Sequence, residues 1–110
     1  MDYKELYLKI HNAAFEKAMT DCGNDIMIYP CGYAAIKLPV KTFGKDHPFI
    51  KWLVDNDIAT YVGYEKYKYF NIYVGKFNQS VLHKEAYADE FVRLLDVEGM
   101  QGAISYSRLT

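Results

Sequence analysis

An α+β domain on a small, mainly antiparallel sheet of three to four strands is predicted by three patterns in the chain. A capping box opens an amphipathic helix at the start, residues 66–77 alternate with period two, and a second helical stripe follows Ser80. Two main helices are expected to pack on one face of the sheet, with a short third helix beside them.

Asp2 with Glu5 three residues later marks a helix over residues 2–21, whose Leu6, Ile10, Ala13, Ala14 and Ala18 form a core stripe. Phe15 and Met19 widen that stripe, and Gly23 with Asn24 supplies a stop. IMIYPCGYAAIKLPV reads as extended chain, broken at Pro30 and Gly32 into a hairpin or a kinked edge strand. Its second half places Ala34, Ile36 and Leu38 on one face and Tyr33, Ala35 and Lys37 on the other. A loop, VKTFGKDHP, leads to a short helix in PFIKWLVDN. Asp46 is expected to cap it, and Phe49, Trp52 and Leu53 to face inward. In the alternating run Phe70, Ile72 and Val74 make the core face, leaving Tyr67, Tyr69, Asn71, Tyr73 and Phe77 opposite. Lys66, Lys68 and Lys76 are in register with the core face and are expected to snorkel from the strand ends. Ser80 caps a helix over residues 80–96 with Tyr87, Ala88, Phe91, Leu94 and Leu95 inward; Gly99 ends it, and GAISYSR returns as a strand with Ile104 and Tyr106 on one face.

The 110 residues make one domain, 1–110, with 51% apolar and 25% charged residues. Aromatic content is 16%, mostly the eleven tyrosines, whose flat amphipathic rings suit binding surfaces. The net charge of −1 gives no whole-molecule pull toward nucleic acid or membrane. Between Lys37 and Lys84, however, eight lysines face only Asp46, Asp55, Asp57 and Glu65, an asymmetry that can mark a binding face. Two cysteines make no disulfide framework, and neither an export signal nor an apolar run of membrane length occurs, so an intracellular, cytoplasmic setting is expected.

No catalytic, metal or cofactor motif emerges. His11, His47 and His83 lie far apart without metal-ligand spacing, and GYEKY and GKFNQS lack the glycines of a phosphate loop. Cys31 reads as a small structural hydrophobe, and Glu85 and Asp89 as a wet helix face. Two places are suited to binding. One is the tyrosine column of Tyr67, Tyr69 and Tyr73, joined by Tyr33 and Lys37 if their strands are neighbours, on which bases can stack. The other gathers free helix-start N–H groups and charge at Asn78, Gln79, Ser80 and Lys84, with Lys41 and Lys45 in the 37–51 segment. The face is expected to be covered, by an inner layer or by the second subunit of a homodimer, the commonest way to close such a surface.

CGYA at 31–34, FIKWL at 49–53, NQS at 78–80, KEAYADEF at 84–91 and SYSRL at 105–109 carry a resemblance. In this order they resemble a group of small uncharacterised proteins of phages, prophages and plasmids. Those share a Cys-Gly-aromatic-Ala piece, an aromatic-x-x-Trp-Leu piece, Asn-Gln-Ser, Lys-Glu-Ala-Tyr-Ala and a closing Ser-Arg. The match runs from Cys31 onward. It departs where the group has a longer loop before the Cys-Gly piece and an acidic terminus. The resemblance implies a mobile-element protein of the bacterial host cytoplasm and carries no functional residue. On that context the expected function is a non-enzymatic inhibitor that blocks a host defence protein or sequesters its nucleotide ligand. The alternative is a nucleic-acid-binding accessory that uses the tyrosine and lysine face; a small enzyme comes third.

Overall fold

The computed structural model describes residues 2–23, 31–64, 66–77 and 80–109. Helix α1 (Tyr3–Cys22) starts as the capping box requires, the Asp2 carboxylate accepting the Glu5 N–H at 3.2 Å. Gly23, at φ 84°, stops it. Ile10, Ala14 and Ala18 are its buried stripe, whereas Ala13 falls round the helix and faces solvent. Four strands follow: β1 (Gly32–Pro39), β2 (Thr60–Tyr64), β3 (Tyr67–Tyr73) and β4 (Ile104–Leu109). Between β1 and β2 stand a single turn, α2 (Val40–Phe43), and α3 (Pro48–Asp55); α4 (Val81–Val97) joins β3 to β4.

The sheet runs in the order β2-β3-β1-β4 with every neighbouring pair antiparallel. Because β3 lies antiparallel between β1 and β2, those two strands run the same way. The helices of their connection must therefore cross one face of the sheet, as in split β-α-β arrangements. The long helices α1 and α4 pack on each other, and α4 lies against β1 and β4. Gly32 is what lets α4 approach. A Cβ there would stand 2.6 Å from the Arg108 carbonyl oxygen and 2.6 Å from Val81 Cγ2.

The core sits between that sheet face and the helices. Ala34, Ile36, Leu38, Phe70, Ile72 and Val74 meet Ile10, Ala14, Phe49, Ile50, Tyr87, Phe91 and Leu95 there. An aromatic ladder at four-residue spacing along α1 ties the helices together. Tyr3 meets Phe49 at 5.7 Å between ring centroids, Tyr7 meets Trp52 at 5.9 Å, His11 meets Tyr87 at 5.5 Å, and Phe15 stacks on Phe77 at 5.0 Å.

Several local expectations change. TYVGY forms the edge strand β2, and VKTF forms a helical turn rather than loop. His47, not Asp46, occupies the N-cap of α3, because Pro48 fixes the first helical residue and no side-chain cap is used. Ile50 joins Phe49 and Leu53 in the core, and Trp52 is only half-buried. Phe77 is 6% exposed on the helix side, opposite to its period-two assignment. The strand ends at Tyr73, and Phe77 adopts φ 68°, so alternation no longer predicts where its ring points. Cys31 is exposed and forms an isolated bridge with Ser80. The expected strand residues 26–30 lie outside the described residues.

Candidate nucleic-acid interface

Helices α1, α3 and α4 stand behind the sheet, and among the described residues only the turn α2 reaches the front, at its edge through Lys41. Register fixes who shares that front. Lys37 of β1 is opposite Asn71 of β3 and Ile104 of β4, and Ala35 is opposite Tyr73 and Tyr106. Tyr69 faces Val62 of β2. The front therefore carries Tyr33, Lys37, Tyr69, Asn71, Tyr73 and Tyr106 across three adjacent strands, with Ala35 buried between rings at its centre. Tyr67 is 71% exposed, Tyr73 58% and Ile104 51%, a large bare apolar area for so small a domain.

Two confluent troughs mark this surface. One, of about 460 Å³, is lined by Tyr33, Ala35, Lys37, Tyr69, Asn71, Tyr73 and Tyr106. The other, of about 850 Å³, continues past Lys37, Tyr69 and Tyr106 to Lys41, Lys66, Tyr67 and Lys68. No carboxylate lines either trough among the described residues, so the front is positively charged although the whole chain is not. The Lys37 ammonium lies 4.3 Å from the Tyr106 ring centroid and 4.9 Å from that of Tyr69, held between the two faces by cation–π attraction. Tyr33 leans on Tyr106 with ring centroids 5.8 Å apart. Its hydroxyl is held above the ordinary tyrosine value, first by hydrogen bonding with Tyr106 and then by desolvation, with Arg108 opposing.

The residues expected at the second site divide differently. Lys41 and Lys45 are exposed; Lys41 borders the larger trough, and the Lys45 ammonium lies 5.9 Å from the Tyr61 ring centroid on the other side of the sheet. Asn78 and Gln79 lie outside the described residues. Ser80 and Lys84 are buried and correct the expectation of an open helix-start site. The Ser80 hydroxyl donates to His83 Nδ1 at 2.6 Å and accepts the His83 N–H, while His83 Nε2–H donates to the Gly23 carbonyl at 2.7 Å. That chain joins the start of α4 to the end of α1. A serine and histidine so enclosed cannot meet a substrate. Lys84 is 3% exposed and donates its ammonium to the Gly32 carbonyl at 3.1 Å, with the Tyr73 ring centroid 5.9 Å away. It clamps the open end of β1 instead of greeting a ligand. On the wet side of α4, Glu90 pairs with Arg93, which holds its carboxyl below the usual range, and Asp89 accepts from the Ser105 hydroxyl.

A third recess, of about 350 Å³, lies where β3 leaves the sheet, lined by Tyr7, His11, Asp57, Tyr73, Lys76 and Tyr87 among others. His11 Nδ1 lies 2.5 Å from the Tyr87 hydroxyl, which also bonds with Tyr7. Burial pushes both tyrosine hydroxyls up; burial first and the Lys76 charge second push His11 below its ordinary value of 6.5. The unfolded chain thus takes up this proton more readily than the folded one. Stability contributed by neutral His11 is complete above about pH 6.5 and is lost as pH falls toward the lower folded value. The melting-temperature advantage of the native protein over His11→Gln should accordingly shrink between pH 7.5 and 5. Parallel melting-temperature curves would contradict it.

Sequence reading reached Tyr33, Lys37, Tyr67, Tyr69, Asn71 and Tyr73 through period two. It placed Ile104 and Tyr106 on a common face without knowing which, since strand order is not written in alternation. The α1 ladder went unread, although tyrosine, tyrosine, histidine and phenylalanine stand four residues apart at 3, 7, 11 and 15. Among known proteins, no family model, no curated protein and no solved structure matches the chain.

Proposed function

We propose that the protein is a non-enzymatic binding protein whose open sheet face holds a short single strand of nucleic acid. The observation that carries this reading is the uncovered front of the sheet, with stacking rings on β1, β3 and β4 around an unneutralised lysine. A flat sheet with aromatic side chains on its central strands and helices only behind is a recurrent platform for unstacked bases. Stacking gives about 1–3 kcal/mol per base and tolerates any sequence. The Tyr69 and Tyr106 rings flank the Lys37 ammonium at 4.9 Å and 4.3 Å and offer two neighbouring stacking faces for unstacked bases. Lys41, Lys66 and Lys68 at the rim supply phosphate contacts without competing carboxylates. No described helix is long and apolar enough to cross a membrane.

Held this way, a strand is withdrawn from other users. Sequestration is the route by which the inhibitory, anti-defence role implied by the sequence resemblance would operate in a host cytoplasm. The same face would form the seam of a homodimer, so strand and second copy exclude each other.

Fluorescence anisotropy with a labelled six-nucleotide single strand tests the reading. Binding should weaken with salt along a log–log slope of about −2 to −3, the value for three to four phosphate contacts on a single strand. A blunt duplex of equal length should bind far more weakly, its bases being stacked already. Absence of single-strand binding at low salt, or equal affinity for duplex, would count against the platform.

A further inference from the structure

Lys37 differs from every other lysine on the sheet front. Lys41, Lys66 and Lys68 stand exposed at one end of it, free to follow a phosphate chain. Lys37 rises from a central strand, is half-buried, and borders both troughs. Its ammonium lies over both the Tyr69 and the Tyr106 ring, in the space where a base stacked beside them would present its edge. Asn71 stands directly opposite it in register and lines the same trough. Among the described residues neither the Lys37 ammonium nor the Asn71 amide has a hydrogen-bond partner. A cation and an amide at the floor of an aromatic trough are placed for base edges rather than phosphates.

Resting on the reading of the front as a single-strand platform, we propose that Lys37 and Asn71 read the base, selecting those with an exocyclic oxygen over those with an exocyclic amine. The ammonium has donors only. It can donate to O6 of guanine or O4 of uracil and thymine, while the Asn71 carbonyl oxygen accepts the adjoining ring N–H. Adenine and cytosine set an amino group, itself a donor, at the corresponding place. A cation facing that group loses its bond and stays partly desolvated without an acceptor, which is the costlier half of the discrimination. Lysine contacts to carbonyl-bearing base edges are a common source of specificity elsewhere.

Six-nucleotide oligo(dU) and oligo(dC) make the cleanest pair, because their pyrimidines differ at the 4-position, oxygen against amine, and in the protonation of N3. Anisotropy titrations at one salt concentration should show oligo(dU) bound about tenfold more tightly. Lys37→Met keeps an unbranched stem between the rings and should bring the two affinities to within about twofold, by weakening oligo(dU) far more than oligo(dC). Asn71→Ala provides a second variant and should also narrow the ratio. Equal affinities in the unmodified protein would overturn the proposal, as would a preference that survives both substitutions. A Lys37→Met variant that weakens both oligomers alike and lowers the salt slope by about one would overturn it too, assigning Lys37 to a phosphate. If neither oligomer binds, the platform reading itself falls and base selection falls with it. Binding without preference leaves the platform standing and removes only the base reader.

Discussion

Replacing Phe91 by alanine is expected to remove about 3–5 kcal/mol of stability, as truncation of a fully enclosed aromatic ring does. Phe91 has no exposed surface and stands where α1, α4 and the sheet meet, 6.3 Å from the Tyr7 ring centroid and 5.8 Å from that of Tyr87. Those rings belong to the ladder that holds the helices together, so the void cannot close without moving α1. A domain of this size has about 5–15 kcal/mol in all, so the melting temperature should fall by more than about 10 °C. Val97→Ala, on the exposed end of the same helix, should stay within about 0.5 kcal/mol and separates loss of packing from loss of helix. A soluble Phe91→Ala protein with unchanged melting would mean that the core lies elsewhere.

The fold was legible where period and cap agree. Asp2 and Ser80 cap their helices as their spacing suggests, and Ala34, Ile36, Leu38, Phe70, Ile72 and Val74 are buried on one face as alternation demands. It was illegible where a local signal is outvoted by position. TYVGY has too few residues and too mixed a pattern to stand out, and becomes a strand by pairing with β3. Phe77 escapes the alternation because its backbone has left the sheet at a positive φ. Lys84 is the sharpest case. Its charge and its place one turn into a helix suggest a solvent-facing cation. The gap between the start of β1 and the departing end of β3 gives it a carbonyl and a ring to bury against. Gly32 looked like a turn residue, and its true constraint is the close passage of α4, a tertiary fact. The site was legible by half. Period two supplied its tyrosines, and only the strand order brought Tyr106 beside Lys37.

Changing Tyr69, Tyr73 and Tyr106 together to serine is expected to abolish single-strand binding while leaving the protein folded. Each ring removed forfeits about 1–3 kcal/mol of stacking, so the triple change should weaken affinity by at least about a hundredfold. Its cost to the fold is smaller, on the order of 1 kcal/mol per site, because strand preferences on an open face are worth no more than that. These rings stand in front of the sheet, and the enclosed core behind it keeps its contacts. The rival occupant of the face, a second copy of the chain, makes a different set of outcomes. A dimer seam would show as a dimer in light scattering that the triple change splits, and oligonucleotide would leave the dimer population untouched. A platform shows the reverse: binding lost with no change of mass. If the face serves both, binding strand and also pairing with a second copy, oligonucleotide should instead dissociate the dimer, because Lys37 cannot lie between Tyr69 and Tyr106 beneath a base and beneath another subunit at once. Light scattering across an oligonucleotide titration, paired with anisotropy on the triple variant, therefore assigns the tyrosine front to strand or to self.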